Sequence, residues 1–422
     1  MYLLYSIVLA AGFVLSLPFY VWKGRATGKY LQTFGERMGR LPASLNAGGE
    51  RSIWIHAVSV GEVLAARTLV GPLRERFPGH RVFVSTTTVA GQAVARSSLT
   101  EVDGLFFAPF DWVRPVRRAL DALNPALLVL IETELWPNLI HEARRRGTRV
   151  AVVNGRISPR SFPRYRRVRA LLKRMLGEVD LFLMQGEAHA ARVLEMGAPR
   201  ERVRVLGNLK YDALEEVLAP DSLADLIRDG TRPLWVAGST VDGEEEIVLR
   251  AFKRVREQVP QASLLIAPRH PERFAVVPGI VEAEGLSCVR RTSLRPGAWP
   301  EGHVVVLDTL GELARVYTLA TVVFVGGSLV PAGGHNILEA AVAGKPVVVG
   351  PHMENFQEIA DEFVGADAVV QVSSADGLVT EVVRLLNDAD RRAALGEKAR
   401  SLVHRNRGAL RTTVDALAAL VA

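Results

Sequence analysis

Three glutamates follow apolar segments of the sequence, at strand ends where a polar side chain is a candidate for the ligand-binding cleft of a parallel sheet. Glu62 comes after the segment 52–56 and a short turn, and it opens a helical pattern. Glu132 and Glu134 follow the apolar segment 126–131, two positions apart. Alternation along a continuing strand sends both side chains to the same side. Paired acids beyond a fully apolar strand are costly to leave unpaired, so we interpret them as functional residues.

Glu62 also fits a purely structural interpretation. Ser59 lies three residues before it, and Ser-x-x-Glu is the signature of a capping box, in which the two side chains satisfy backbone N–H groups at a helix start. An acid in the first turn also interacts favourably with the helix macrodipole. The sequence alone supports the functional and the capping interpretations of Glu62 about equally.

The segment 333–341 has the composition of a nucleotide-binding turn. It reads Gly-Gly-His-Asn-Ile-Leu-Glu-Ala-Ala and follows the apolar run 321–330 directly. Glycines allow the chain to approach a phosphate, and unpaired N–H groups at a helix start point towards it. Asn336 and Glu339 face the same side of that first turn, where an acid suits a ribose hydroxyl. These two residues favour a nucleotide site over an ordinary strand–loop–helix connection.

Two cations also lie near strand ends. Arg269 follows the apolar segment 263–267 and is held between two prolines, so its guanidinium suits bidentate contact with a phosphate or a carboxylate. Lys210 lies in the segment 207–212, from which it could neutralise a phosphate or a sugar carboxylate. A lysine at such a position is more often simply solvated, so the second signal is weak by itself.

Two further helix starts follow strand ends in the second half of the chain. The segment 310–312, Leu-Gly-Glu, comes after a strand that ends at residue 307, and its amides and Glu312 could face the same nucleotide. The segment 237–246 is a tight turn that leads into an acidic helix start.

Short apolar runs alternate with amphipathic segments along the chain after residue 50. Such strand–helix–strand repeats predict a parallel, doubly wound α/β sheet. The pattern restarts after a charged stretch, so we predict two tandem Rossmann-like domains over residues 23–215 and 216–422, with the last helix expected to cross back to the first domain. Ligands bind beyond the carboxyl ends of such strands, so we expect the working cleft between the domains. The predicted strands are 52–56, 81–85, 126–131, 149–153, 181–184, 234–237, 263–267, 303–307, 321–325, 345–350 and 368–371, and the predicted helices of the first half are 61–76, 90–98, 113–123, 138–146 and 188–196.

The length and the charge of the chain agree with this arrangement. A chain of 422 residues is too long for one hydrophobic core and suggests two domains of roughly 200 residues each. A net charge of +7 favours anionic partners such as a nucleotide or a phospholipid. The single cysteine, Cys288, excludes an internal disulfide, and the sequence contains no Cys pair and no His-x-x-x-His. We therefore predict no structural metal.

The first 22 residues contain no charged side chain. A helix of that length reaches about 33 Å, enough for a hydrocarbon core of about 30 Å, and Tyr20 and Trp22 fall where an aromatic belt would lie. The basic residues that follow place the rest of the chain in the cytoplasm. A cleaved signal peptide is the weaker interpretation, because the run lacks a basic start and a small-residue cleavage site. We predict a single-pass or monotopic membrane anchor over residues 1–22.

A basic tract over residues 144–174 contains twelve Arg or Lys residues and no acid. Such a run is usually a solvated helix face. Because it shares the chain with the predicted anchor and includes Phe162 and Tyr165, we interpret it as a contact with anionic lipid headgroups. Nucleic acid is not expected as a partner, since no recognised binding module accompanies the charge.

Taken together, the motifs resemble the 3-deoxy-D-manno-octulosonic acid (Kdo) transferases of lipopolysaccharide synthesis, and the resemblance covers almost the whole chain. It implies the GT-B fold, which consists of two Rossmann-like domains with a cleft between them. It also implies transfer of Kdo from CMP-Kdo to the lipid A precursor (lipid IVA) at the cytoplasmic face of the inner membrane, with no metal and no other cofactor. The matching segments, in chain order, are 35–39, 56–62, 132–138, 207–210, 268–271, 326–328 and 334–340.

The resemblance further implies roles for single residues. Glu62 would be the general base, while Glu132 and Lys210 would support the transition state. The direct displacement that the family implies inverts the anomeric centre. The residues that the resemblance places around CMP are Pro268, Arg269, Leu310, Gly311, Glu312, Asn336, Ile337, Leu338, Glu339 and Ala340.

Two other classes of protein share parts of this pattern. A nucleotide-sugar epimerase, or a glycosyltransferase with a different donor, would also use two Rossmann-like domains, but an epimerase would need neither the anchor nor the basic tract. A membrane-tethered binding protein without activity would leave Glu62, Glu132 and Glu134 without a purpose.

Overall fold

A computed structural model of the chain describes residues 2–27, 33–159, 161–212, 232–294 and 302–421, and the side chains of residues 14 and 16–27 lie outside the description. The chain divides into two compact units. Unit 1 consists of Met1–Ala213 together with Arg407–Ala422, and unit 2 consists of Leu214–Asn406. The predicted boundary after residue 215 falls in the range 213–231, outside the described residues.

Unit 1 is built on a seven-stranded parallel sheet in the order β3-β2-β1-β4-β5-β6-β7. Its strands are β1 (Ser52–His56), β2 (Arg81–Thr86), β3 (Gly104–Phe107), β4 (Pro125–Ile131), β5 (Arg149–Gly155), β6 (Leu181–Met184) and β7 (Val203–Val205). Its helices before the second unit are α1 (Tyr2–Thr27), α2 (Phe34–Arg37), α3 (Val60–Arg76), α4 (Val89–Ser98), α5 (Val113–Leu123), α6 (Pro137–Arg145), α7 (Phe162–Arg167), α8 (Arg169–Leu176) and α9 (Glu187–Met196).

Unit 2 contains a second seven-stranded parallel sheet, in the order β10-β11-β9-β8-β12-β13-β14. Its strands are β8 (Leu234–Thr240), β9 (Ser263–Pro268), β10 (Ser287–Arg290), β11 (His303–Val306), β12 (Val322–Val325), β13 (Val347–Val349) and β14 (Val370–Gln371). Its helices are α10 (Glu245–Gln258), α11 (Val277–Ala283), α12 (Leu313–Tyr317), α13 (Leu338–Val342), α14 (Gln357–Gly365), α15 (Ala375–Asn387) and α16 (Ala389–Asn406), and α17 (Ala409–Val421) follows in unit 1.

The central strands are apolar because helices cover the sheet on both faces. In β1, Ile53 and Ile55 join one core cluster while Trp54 joins another, as a period of two requires. The first cluster also contains Val414 and Leu417 of α17, which therefore packs on the sheet of unit 1. The prediction of two Rossmann-like parallel sheets is confirmed.

The order of the strands decides which turns meet in unit 1. β1 pairs with β2 on one side and with β4 on the other, and His56 lies opposite Ser85 and Leu130. The turns that follow β1 and β4 therefore leave the same edge of the sheet as neighbours. The turn after β1 leads into the helix start that contains Glu62, and the turn after β4 contains Glu132 and Glu134.

The predicted anchor segment 1–22 coincides with the first part of α1. Among the residues that the structure describes, none forms a helix that is both long enough and apolar enough to cross a membrane, so a membrane-spanning anchor is not supported. The first turns of α1 contact unit 1 instead: the Tyr2 ring stacks on His141 with centroids 3.9 Å apart, and Asn138 Nδ2 donates a hydrogen bond to Ser6 Oγ over 3.0 Å.

Candidate active site

Glu62 lies in the first turn of α3, directly after the turn that follows β1. Val58 N–H donates to its Oε2 over 2.7 Å, and the Ser59 hydroxyl donates to its Oε1 over 2.7 Å. Ser59 is the N-cap residue of α3, and its Oγ lies 3.5 Å from the Glu62 backbone nitrogen. Half of the capping box is therefore present, because Ser59 caps the Glu62 N–H, whereas the Glu62 carboxylate accepts the N–H of Val58 rather than that of Ser59. This arrangement leaves other lone pairs of the carboxylate unused, so it does not exclude a catalytic role.

The environment of Glu62 favours the neutral form of its side chain. Glu62 is only 6 % exposed. Burial raises the pKa of its carboxyl group to about 7, although the hydrogen bonds from Ser59 and Val58 oppose the change. The charges of Glu134 and Glu132 raise the pKa further. A carboxyl group with a pKa near neutrality is suited to accept a proton at physiological pH.

Glu132 is the first residue after β4 and makes the ion pairs of this edge. Its φ of 58° is in the left-handed region, which is uncommon for a residue with a side chain. Lys210 Nζ lies 3.9 Å from one carboxylate oxygen and Arg156 Nε lies 3.9 Å from the other. Asn208 positions Lys210 by accepting its backbone N–H over 3.0 Å. Two of the predicted residues, Glu132 and Lys210, thus lie together.

Glu134 lies in the same turn and has a different partner. Its Oε2 accepts a 2.7 Å hydrogen bond from the indole N–H of Trp136. Burial raises the pKa of Glu134, and the charge of Glu132 adds to this effect. Because β4 ends at Ile131, strand alternation does not place the two acids. They are placed by the left-handed turn at Glu132.

The predicted nucleotide turn of unit 2 is organised by Asn336. Its Oδ1 accepts the Leu338 N–H over 3.1 Å, and its side chain lies close enough to Glu339 to affect the pKa of that carboxyl group. Burial raises the pKa of Glu339, while the positive charge of Arg269 and the hydrogen bond from Asn336 oppose this. Arg269 and Glu339 therefore lie close enough to interact. Asn336 and Glu339 are neighbours in this turn, and their role in nucleotide binding stays a prediction.

Arg269 follows the carboxyl end of β9, directly after the buried Pro268, and its side chain is exposed. Its backbone N–H donates to the Thr240 carbonyl over 2.8 Å, which fixes where the side chain begins. On the neighbouring turn, Ile337 and Leu338 are fully buried. Ala340 is buried as well, so none of these three residues exposes its side chain to a ligand.

The 310–312 turn differs from the expectation in one respect. Leu310 is 72 % exposed, and Gly311 has a φ of +81° that favours glycine. The carboxylate of Glu312, however, is already engaged: Arg291 Nη2 donates to Oε1 over 3.2 Å, and the Thr309 hydroxyl donates to Oε2. Glu312 thus stabilises the turn that presents Leu310 and Gly311.

Glu244 is a functional candidate that was not predicted individually from the sequence. It is fully buried, and its carboxylate accepts the backbone N–H groups of Gly327, Ser328 and Leu329 over 2.7, 3.0 and 2.9 Å. The glycine-rich loop after β12 is therefore held by an internal carboxylate. The signal was visible in the sequence as the acidic helix start at 242–246.

His335 was also missed, although it lies inside the predicted nucleotide turn. Burial lowers the pKa of its imidazole to about 4, and the positive charge of Arg269 adds to this. Its Nε2 is buried without a hydrogen-bond partner among the described residues. No group of three or more His, Cys, Asp or Glu side chains in the described part of the chain is arranged to hold a metal ion.

Comparison with known protein families matches both halves of the chain. The family described as "3-Deoxy-D-manno-octulosonic-acid transferase (kdotransferase)" matches residues 32–213, and the family described as "Glycosyl transferases group 1" matches residues 245–402. The 3-deoxy-D-manno-octulosonic acid transferase of Haemophilus influenzae is 36 % identical, with 92 % of this chain and 91 % of that protein covered. The transferase of the same name from Bordetella pertussis is 35 % identical, with 91 % of this chain and 90 % of that protein covered.

Solved structures show the same fold at low sequence identity. The UDP-GlcNAc 2-epimerase of Neisseria meningitidis bound to UDP-GlcNAc is 13 % identical and has a TM-score of 0.58, with 87 % of this chain and 99 % of that chain covered. A glycosyltransferase from Rickettsia africae is 12 % identical and has a TM-score of 0.55, with 88 % of this chain and 99 % of that chain covered. These likenesses establish the two-sheet GT-B fold.

Proposed function

This chain belongs to the 3-deoxy-D-manno-octulosonic acid (Kdo) transferase family and is a glycosyltransferase, and from that premise we propose that it transfers Kdo from CMP-Kdo to the lipid A precursor (lipid IVA), with Glu62 as the general base. The observation that carries the proposal is the buried carboxylate of Glu62, whose pKa lies at about 7 beside two further acids at the carboxyl edge of the sheet.

The chemistry requires a base because a sugar hydroxyl is a poor nucleophile. As the acceptor hydroxyl oxygen bonds to the anomeric carbon of Kdo, its proton passes to the Glu62 carboxylate. The bond from that carbon to the phosphate oxygen of CMP breaks at the same time, and CMP leaves with the bonding electron pair. A single displacement of this kind inverts the configuration of the anomeric centre.

The neighbouring charges are proposed to support the transition state. Lys210 lies 3.9 Å from Glu132, so the ion pair keeps a positive charge at this edge of the sheet, where it would stabilise negative charge in the transition state. In unit 2, Arg269 is an exposed guanidinium at a strand end. It is suited to the charge that grows on the phosphate of CMP as the bond breaks.

The CMP moiety is proposed to bind at the turns that follow the strands of unit 2. Glu339, which neighbours Asn336 and Arg269, would accept hydrogen bonds from the ribose hydroxyls. The exposed turn at Leu310 and Gly311 offers backbone groups, since Glu312 is already bound to Arg291. Residues 337, 338 and 340 are buried and are proposed to support the turn that holds CMP.

We further propose that the protein attaches to the cytoplasmic face of the inner membrane through one surface of unit 1. That surface combines α1, whose Leu3, Leu4, Ile7 and Val8 are exposed, with the basic helices α7 and α8. The two parts meet where the Arg174 guanidinium lies 5.9 Å from the centroid of the Tyr2 ring. Exposed apolar side chains next to Arg and Lys suit the headgroup region of an anionic bilayer.

Vesicle binding tests this attachment. Ile7→Asp and Leu171→Asp each place a charge on the proposed surface, since Leu171 is 43 % exposed on α8. Both are expected to reduce sedimentation with phosphatidylglycerol vesicles. Val276→Asp, on the exposed surface of unit 2, is the matched control. Equal sedimentation of all three variants would contradict the attachment.

The transfer itself is tested with detergent-solubilised protein, CMP-Kdo generated in situ and a tetra-acylated lipid A precursor, with the products identified by mass. Increments of one or more Kdo are expected, and the largest increment gives the number transferred. A parallel incubation with UDP-GlcNAc should give neither transfer nor epimerisation. A folded protein that binds CMP but adds no Kdo would refute the substrate assignment.

A further inference from the structure

We infer that Glu134 is a positioning residue for the proposed base: Trp136 and His56 fix it as a second carboxylate beside Glu62, so that it sets the pH range in which Glu62 accepts a proton. This inference rests on the proposed function. Nothing in the family resemblance gives Glu134 a role, and the sequence suggested only that it is functional.

The support begins at the end of β1. Trp54 Nε1 donates to Ser85 Oγ over 2.8 Å, and Ser85 Oγ lies 2.9 Å from His56 Nδ1. The Ser85 hydroxyl oxygen accepts from Trp54 and can either donate to His56 Nδ1 or accept from it. In both cases the contact fixes the orientation of the His56 ring.

His56 stays neutral at any pH used for an assay. It is fully buried, and burial lowers the pKa of its imidazole to about 3. Its Nε2 has no oxygen or nitrogen partner among the described residues. The imidazole ring of His56 contacts the indole ring of Trp136, with the ring centroids 4.5 Å apart and the ring planes at 75°. The imidazole therefore acts as a rigid packing surface for Trp136.

Trp136 in turn fixes the position of Glu134. Its Nε1–H donates to Glu134 Oε2 over 2.7 Å. The backbone after Trp136 is fixed as well, because Asp111 accepts the N–H groups of Asn138 and Leu139 over 3.2 and 2.8 Å at the start of α6. Trp136 is therefore fixed by the contact of its ring with His56 and by the backbone that follows it. Its hydrogen bond to Glu134 fixes the position of that carboxylate as well.

The fixed carboxylate lies beside Glu62 because the turns after β1 and β4 are neighbours. The charges of two acidic side chains, Glu134 and Glu132, raise the pKa of the Glu62 carboxyl group. The charge of Glu132 is offset by Lys210 and Arg156. Among the described residues no Lys or Arg forms an ion pair with Glu134, whose partner is the neutral indole of Trp136.

Tyr165 of α7 also faces Glu134: burial raises the pKa of the Tyr165 phenol, and the charge of Glu134 raises it further. A phenol is neutral over the pH range in which a carboxylate base titrates, so Tyr165 offsets no charge there. Glu134 is thus the like charge that acts on Glu62 without compensation, and a like charge disfavours ionisation.

The pH dependence of kcat/KM for Kdo transfer tests the inference. The acid limb of the wild-type protein is expected to have its midpoint near pH 7, where Glu62 titrates. Glu134→Gln should move the limb to lower pH while the plateau stays close to the wild-type value. One pH unit below the wild-type midpoint, the variant should retain a roughly two- to threefold larger fraction of its plateau, as a shift of about half a unit gives.

Two further variants separate a positioning role from a structural one. Trp136→Phe keeps an aromatic ring against His56 but removes the N–H, so Glu134 protonates more easily and the limb should again move to lower pH. Glu75→Gln removes an exposed acid from the same helix as Glu62 and should leave the profile unchanged. A Glu134→Gln profile that superimposes on the wild-type profile would overturn the inference, as would loss of activity at every pH.

A direct titration separates this inference from the assignment of the reaction. In protein labelled with carboxyl-13C glutamate, the signal that disappears in Glu62→Gln belongs to Glu62. Its midpoint should move to lower pH in Glu134→Gln, whether or not Kdo is the sugar transferred. An unchanged midpoint would overturn the inference, while a missing Kdo increment with a shifted midpoint would overturn only the proposed function.

Discussion

The Ser59 hydroxyl and the Glu62 carboxylate are joined by a 2.7 Å hydrogen bond, and the same Ser59 oxygen faces the Glu62 backbone nitrogen. One pair of side chains thus begins helix α3 and also adjusts the proton affinity of the proposed base. The structural and the catalytic interpretations of Glu62 describe the same contact.

Removal of this hydroxyl should affect stability and pH dependence together. Ser59→Ala loses an N-cap, which costs about 1 kcal/mol in the free energy of unfolding. It also loses a hydrogen bond that favours the charged carboxylate, so the acid limb of kcat/KM should move to higher pH. Thr88→Ala removes the equivalent cap of α4, where Thr88 Oγ1 accepts the Gly91 N–H over 3.0 Å. It should lower stability without moving the limb, and a shift of equal size in both variants would contradict the account.

The Glu62 carboxyl group should also make stability depend on pH. Its pKa in the folded protein, about 7, is above the ordinary value of 4.5, so between these values the folded state binds a proton that the unfolded chain does not. The free energy of unfolding therefore falls as pH rises from 4.5 to about 7. Glu62→Gln lacks this group and should gain about 1–3 kcal/mol relative to the wild-type protein over that window. Urea denaturation at pH 4.5, 6 and 8 measures the difference.

Glu75→Gln serves as the control for that measurement, because Glu75 is exposed on the same helix. Its stability should follow the wild-type protein at all three pH values. A constant difference between Glu62→Gln and the wild-type protein would show that the Glu62 pKa is not raised by folding.

The Glu244 carboxylate should be essential for the glycine-rich loop of unit 2. It accepts three backbone N–H groups through two oxygens, and Glu244→Gln would leave at least one buried donor unpaired. The expected loss is about 1–3 kcal/mol in the free energy of unfolding, together with weaker binding of CMP. Calorimetric unfolding and CMP titration measure the two effects. Glu257→Gln, an exposed residue of the same helix α10, should change neither quantity.

Arg269 should contribute to the donor affinity and little to stability, because its side chain is exposed. Arg269→Gln removes a charged donor and should weaken CMP binding by about 10- to 100-fold, as the loss of one hydrogen bond from a charged group predicts. Arg405→Gln, an exposed arginine in α16, is the control. Titration of both variants with CMP decides the point, and equal affinities would show that Arg269 does not contact the phosphate.

Most strands could be predicted from the sequence because their burial produces unbroken apolar runs. The predicted 52–56 and 181–184 agree with β1 and β6 residue for residue. The strands that were missed, β3, β7 and β10, are all at the edges of their sheets. An edge strand is covered less completely, so its sequence carries a weaker apolar signal. β10, for example, reads Ser-Cys-Val-Arg and has no fully buried residue.

The site was predictable where spacing along the chain determines contact, and not where tertiary structure does. Asn336 and Glu339 are three residues apart and were expected on one face, and they lie close enough for Asn336 to lower the pKa of Glu339. The contact of Glu244 with the loop at 327–329 spans more than eighty residues, and no local pattern announces it. The ring contact between His56 and Trp136 likewise depends on the pairing of β1 with β4.

The environment of the first helix, α1, could not be predicted from the sequence for a different reason. A run without charges is compatible both with a spanning helix and with a helix that lies on a protein surface. The choice depends on tertiary contacts such as the stacking of Tyr2 on His141 and the hydrogen bond between Ser6 and Asn138. Those contacts join residues more than a hundred positions apart.

The single-turnover rate of Kdo transfer by Glu62→Gln, at saturating CMP-Kdo and lipid acceptor, tests the central claim most directly. Loss of a general base is expected to reduce this rate by about 10²- to 10⁴-fold, while the affinity for CMP, measured on the same sample, stays within the error of the wild-type value. A rate close to that of the wild-type protein, with the donor bound normally, would contradict the assignment of Glu62 as the base.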